Sequence, residues 1–145
     1  MKIKTGWISD NEYCVIKPLH NGCRQILFMS ASNCGLGQWW IAAGIFSCNA
    51  TYKSITRSEV WGTPTSTNKK PSFAIIPLAL ESLAEIEHEL IAKSNGKRRY
   101  IYIDGMDERR LRVYTKILAR NNCGYKKSTK KSTYCNLHLL YKRLN

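Results

Sequence analysis

Tyr100-Ile101-Tyr102-Ile103-Asp104-Gly105-Met106-Asp107 opens the part of the chain whose reading decides the fold. Its first four residues alternate Tyr and Ile, the period of a half-buried strand. Asp107 stands where a helix N-cap belongs, with a carboxylate that accepts the first open backbone N–H groups. In the helix so started, over 107–121, Leu111, Tyr114, Ile117 and Leu118 share one face. Upstream, Leu80, Leu83, Ile86, Leu90 and Ile91 repeat at the same spacing through Lys93, and Asn95-Gly96 supplies a left-handed C-terminal cap.

The remaining segments arrange themselves around these two helices. Residues 2–9, 13–17 and 24–30 read as strands, and His20-Asn21-Gly22 as a tight hairpin turn. The apolar run 38–46 fits either a short buried helix or a strand. Residues 51–70 turn to Ser, Thr, Asn, Lys and Pro, which marks a surface loop and the candidate mobile segment. A short strand over 72–78, interrupted by Pro77, follows. The chain closes with a basic turn at 126–131 and a final strand at 133–141. This order predicts one α+β domain over 1–145: a mixed, mainly antiparallel sheet with two helices packed on it. Segments 72–78, 100–103 and 133–141 are expected in that one sheet.

The 43% hydrophobic and 23% charged fractions are those of an ordinary globular protein, and no apolar run approaches the ~20 residues of a membrane span. The N-terminus has no secretory signal pattern, so a cytoplasmic location is expected. The cysteines at 14, 23, 34, 48, 123 and 135 form no Cys-x-x-Cys pair, which points to reduced thiols and away from a zinc site. With three scattered histidines and no clustered carboxylates, no metal site is expected. The net charge of +13 is unevenly placed. Residues 1–92 carry eight Lys/Arg against seven Asp/Glu, whereas residues 93–145 carry fifteen against three. An electropositive face and an anionic partner follow: nucleic acid, CoA or nucleotide phosphates, an acidic protein or anionic lipid.

The strand 100–103, the helix bearing Arg112-Val113-Tyr114, and the Gly124-Tyr125 step resemble the C-terminal half of GNAT-type (Gcn5-related) acyltransferases. The resemblance implies a GNAT-like fold, acyl-CoA as cofactor, a nucleic-acid or protein substrate, and Tyr114 near the reacting group. In that family a Gln/Arg-x-x-Gly-x-Gly/Ala loop binds the CoA pyrophosphate. In this chain the stretch Ile76-Pro77-Leu78-Ala79-Leu80-Glu81-Ser82 has no glycine and supplies Glu81 instead. The one Gly-x-Gly, Gly35-Leu36-Gly37, is the alternative phosphate cradle, and Gly35 and Gly37 are its candidate residues.

Asn33-Cys34-Gly35 resembles the nucleophile turn of papain-like cysteine peptidases, and a helix starting there would lower the Cys34 thiol pKa. His138 is the candidate base of such a hydrolase, since His88 lies among Glu85, Glu87 and Glu89 on a surface helix. Glu59 or Asp104 is a candidate general base, while capping and ion pairing account for Asp107 and Glu108. Against these stands a binding module without catalysis. Arg109, Arg110, Arg112, Lys116, Arg120, Lys126, Lys127, Lys130 and Lys131 are candidates for holding phosphates, with Tyr100, Tyr102, Tyr125 and Tyr134 as rings for unpaired bases. A small basic domain of this kind is also compatible with a toxin or phage counter-defence role.

Overall fold

The computed structural model of the 145-residue chain describes residues 4–19, 25–51 and 75–145. Among them lie the strands β1 (Gly6–Ser9), β2 (Glu12–Pro18), β3 (Gln25–Asn33), β4 (Gln38–Ser47), β5 (Tyr100–Ile103), β6 (Lys126–Lys131) and β7 (His138–Arg143). The helices are α1 (Ile75–Ala92) and α2 (Glu108–Arg120). The class is α+β, with a seven-stranded sheet of order β1-β2-β3-β4-β5-β7-β6. Pairs β1–β2, β2–β3, β5–β7 and β6–β7 are antiparallel. The β4–β5 pair is parallel. A parallel neighbour needs a long crossover, and α1 lies in the connection between those two strands.

The chain packs as two compact units, Met1–Ser32 with Ala42–Glu89, and Asn33–Ile41 with Leu90–Asn145. In the first, Cys14, Ile26, Phe28 and Phe46 form a buried cluster against which Ile16, Cys48 and Ala50 pack. Phe28 and Phe46 meet edge to face with centroids 6.0 Å apart. Ser82, Leu83 and Ile86 are the buried side of α1 there. Glu85 and Glu89, one turn apart, are engaged rather than solvated: Lys17 pairs with Glu85, and Trp7 Nε1–H donates to Glu89 at 3.2 Å.

In the second unit, Trp39 pairs with Ile101 and Ile103 with Leu140, and all but Ile103 are buried. Asp107 caps α2 as its position predicts, with extended backbone (φ −154°) and its carboxylate accepting the Arg110 N–H at 2.8 Å. Gly105 is required just before that cap. A Cβ at 105 would lie 2.6 Å from the Leu111 Cβ and 2.7 Å from its Cα.

Three segments differ from expectation, and a fourth, the run 38–46 that fitted either a helix or a strand, is decided. Residues 75–78 of the expected strand 72–78 begin α1, while 72–74 lie outside the described residues. Pro77 is the third residue of that helix, where its missing N–H would have no intrahelical acceptor, so it starts the helix rather than breaking a strand. The apolar run 38–46 is the strand β4. The expected basic turn 126–131 is β6, paired to β7 at the end of the sheet order, where lysines blunt an open edge. The expected strand 133–141 is shorter at its start, because Ser132 N–H bonds the Leu137 carbonyl at 2.7 Å and Asn136 turns the chain at φ +57°. The surface loop 51–70, apart from Thr51, and the turn 20–22 lie outside the described residues. The bond from Leu19 N–H to Gln25 O at 2.9 Å is consistent with the β2–β3 hairpin.

Candidate functional site

Side chains alternate across a strand, so strand register decides which residues share a face. Trp40 on β4 lies opposite Tyr102 on β5, Tyr102 opposite Tyr141 on β7, and Tyr141 opposite Lys126 on β6. Two residues along, Gln38, Tyr100 and Arg143 make a parallel row on the same face. The three rings form a ladder. Trp40 and Tyr102 have centroids 5.7 Å apart and planes 26° apart; for Tyr102 and Tyr141 the values are 6.1 Å and 23°. Lys130 Nζ lies 5.0 Å from the Tyr102 centroid and donates to the Gln38 amide oxygen. Burial, then the neighbouring Tyr100 and Tyr141, push the Tyr102 hydroxyl pKa up, so the ring is neutral at physiological pH. Trp40 and Tyr141 are half-buried, and Lys126, Lys130 and Arg143 are exposed. Tyr102, between the two rings, is 7% exposed, so the open aromatic surface is that of Trp40 and Tyr141, and cations border it.

A second basic surface runs along α2, where Arg109, Arg112, Lys116 and Arg120 are exposed at helical spacing on one stripe. Arg110 is separated from them in role, since its Nε lies 3.5 Å from the Asp107 carboxylate that caps the helix. Lys127 and Lys131 are exposed on β6, opposite Leu140 and His138. Tyr125 lies beside Lys142, whose Nζ is 5.6 Å from its ring centroid, and Tyr134 is 77% exposed in the β6–β7 turn.

The catalytic candidates do not come together. No helix follows Cys34. The chain turns through Gly35–Gly37 into β4, so the expected helix cap is absent, and burial raises the thiol pKa against a lowering by Lys130. His138 uses Nδ1–H to hold the Ser128 carbonyl at 2.8 Å, which stitches β6 to β7. Asp104 is likewise engaged, accepting from Met106 N–H at 2.8 Å and from Ser132 Oγ–H at 2.6 Å. His88 and Glu108 are exposed. Glu59 and Cys23 lie outside the described residues. Tyr114 sits half-buried on α2, where burial raises its hydroxyl pKa, Arg110 lowers it and Asp107 raises it. The five described cysteines form no disulfide.

Gly35, Leu36 and Gly37 all have positive φ, and Leu36 and Gly37, though not Gly35, border an open recess with Asn33 and the run Lys97-Arg98-Arg99. Sequence reading overlooked that run, and it overlooked Trp40, Tyr141 and Arg143. Each is an aromatic or a cation like many others in the chain, and only register brings them into line. Among the described residues no group of three His, Cys, Asp or Glu is placed to hold a metal, and no helix is long and apolar enough to cross a membrane. No protein-family model, no curated protein and no solved structure matches this chain.

Proposed function

We propose that this protein is a binding module for single-stranded nucleic acid, which it holds on the β4-β5-β7-β6 face. The observation that carries the reading is the Trp40–Tyr102–Tyr141 ladder with Lys130 lying over its central ring. Every base has a π-face, so rings recruit bases without regard to sequence, each contributing about 1–3 kcal/mol. Lys126, Lys130 and Arg143 supply the phosphate contacts, whose strength comes from counterion release. Lys130 is a flexible four-carbon arm, able to leave Tyr102 for a phosphate when a base arrives. Unpaired bases are required because those of a duplex are already stacked on one another.

Fluorescence anisotropy of a short labelled oligothymidylate tests the reading at low salt. Tyr141→Phe keeps the ring and should bind like wild type, whereas Tyr141→Leu should weaken binding roughly 5- to 150-fold, the equivalent of one lost stacking contact. Equal affinity of the two variants, both folded by circular dichroism, would remove the ladder from the interface.

A GNAT-type acyltransferase is the second reading, supported by one feature. Tyr114 follows β5 on α2, the strand-then-helix position that the resemblance gives to the family's tyrosine, and its hydroxyl carries a proton at neutral pH as an ordinary tyrosine does. Against it, residues 76–82 belong to α1 rather than to a glycine-bearing loop, and Pro77 removes one donor from the helix N-terminus. Acetyl-CoA as the parallel titrant separates the two readings.

A further inference from the structure

The β3–β4 connection is a tight turn with positive φ at both central residues, Leu36 and Gly37, the geometry that a hairpin between neighbouring strands favours. Gly35, Leu36 and Gly37 have φ of +92°, +55° and +72°. Leu36, a residue for which this conformation is unfavourable, is 93% exposed and so gains no burial there. The loop is nevertheless fixed. Asn33 Oδ1 accepts the Gly35 N–H at 2.8 Å, Gly35 O accepts the Gln38 N–H at 3.0 Å, and Gly37 O accepts the Tyr100 N–H at 2.8 Å. Gly37 is irreplaceable in this arrangement, since a Cβ there would meet the Arg98 carbonyl oxygen at 2.2 Å. What remains are the successive N–H groups of Leu36 and Gly37, which have no acceptor among the described residues. Successive donors in a left-handed turn make a concavity suited to an anion.

The charges facing that turn agree with it. Lys97, Arg98 and Arg99 line the same recess of about 370 Å³, and no acidic side chain lines it. The side chains of Lys97 and Arg98 have no hydrogen-bond or ion-pair partner among the described residues. Arg99 is held in place, with its guanidinium 5.1 Å from the Trp39 ring centroid and Nη2–H on the Lys93 carbonyl at 3.1 Å. Its Nε is buried with no acceptor among the described residues. Three adjacent cations and two open N–H groups match a group with two negative charges and three terminal oxygens better than a diester in mid-chain. Trp40 lies three residues along β4 from Gly37, roughly 10 Å at a strand's rise, within the span of a dinucleotide.

We propose that the recess formed by Leu36, Gly37, Lys97, Arg98 and Arg99 binds the terminal phosphate monoester of a nucleic-acid strand whose bases lie on the Trp40–Tyr102–Tyr141 ladder. The inference rests on the single-strand reading and adds to it the recognition of a strand end. Anisotropy is measured with one oligothymidylate carrying a 5′-phosphate, a 3′-phosphate or hydroxyls at both ends, against wild type and Lys97→Gln/Arg98→Gln. A phosphate at one of the two ends should tighten binding roughly ten-fold or more, and the double variant should bring that strand down to the hydroxyl-ended level. Which end responds sets the strand's direction. Equal affinity for all three strands, or a gain that survives in the double variant, overturns the recess while leaving the ladder intact. If no strand binds, the single-strand reading fails, and amide shifts of Leu36 and Gly37 with thymidine 5′-monophosphate against thymidine decide the recess alone. Shifts confined to the monophosphate support it, and their absence overturns it.

Discussion

Cys14 illustrates at the scale of one residue what burial does to a titratable group. It is fully buried beside Ile26, Phe28 and Phe46, and its Sγ–H donates to the Lys4 carbonyl at 3.1 Å. A thiolate there would lose its hydration, so burial pushes the pKa from 9.0 up to about 11, opposed by a backbone hydrogen bond at Gly6 and aided by Glu12. The folded value lies above the unfolded one. The stabilisation is therefore fully present below pH 9 and is lost as pH rises through about 11. The full shift corresponds to on the order of 2–3 kcal/mol. Urea unfolding of wild type and Cys14→Ala below pH 9 and near pH 11 isolates this group, because the raised Tyr13, Tyr102 and Tyr114 are common to both proteins. Identical pH dependence in the two would contradict the account. Cys34 has the opposite setting from the one its sequence suggests: exposed, it lacks the helix that would have activated it.

At the scale of elements, the junction of β5 with the β6–β7 hairpin depends on a carboxylate. Asp104 accepts from Met106 N–H and from Ser132 Oγ–H, and Ser132 Oγ in turn accepts from the N–H groups of Tyr134 at 3.1 Å and Cys135 at 3.4 Å. Ser132 is 4% exposed, so water does not replace these bonds. Asp104→Ala and Ser132→Ala should each cost about 1–3 kcal/mol, the penalty for buried partners left unsatisfied. The double variant should be less destabilised than the sum, with a coupling of at least ~0.5 kcal/mol. Strict additivity in denaturant melts would mean that the two side chains act separately. Asp104 is thus a positioning group for the turn, a role that its sequence neighbourhood, equally suited to a general base, did not distinguish.

At the scale of the molecule, twelve of the thirteen net positive charges belong to residues 93–145, spread over the α2 stripe, the sheet face and the run Lys97-Arg98-Arg99. The first two surfaces give different expectations for binding. If about five phosphates are neutralised, log K should fall with log salt at a slope near −3.5. Lys126→Ala/Lys130→Ala/Arg143→Ala should flatten that slope more than Arg109→Ala/Arg112→Ala/Lys116→Ala. Measured anisotropy isotherms over a salt series give both slopes, and a larger effect of the α2 variant would move the interface to the helix.

The sequence by itself determined what is local in the chain. Asp107 caps α2 because its carboxylate reaches an N–H three residues on, and Leu83, Ile86 and Leu90 mark a buried face of α1 because helical spacing is short-range. The α+β class and the crowding of charge into the last third are legible for the same reason. The tertiary structure decided the rest. Pro77 reads equally as a strand break or a helix start until the helix is there, and the lysines of 126–131 pair as an edge strand only because β7 supplies the partner. The ladder is the clearest case: Trp40, Tyr102 and Tyr141 come from three distant segments, and a slip of one residue in any strand would turn its ring to the opposite face. Strand register is set by partners far away in the chain, so no local pattern in this sequence aligns those rings beneath Lys130.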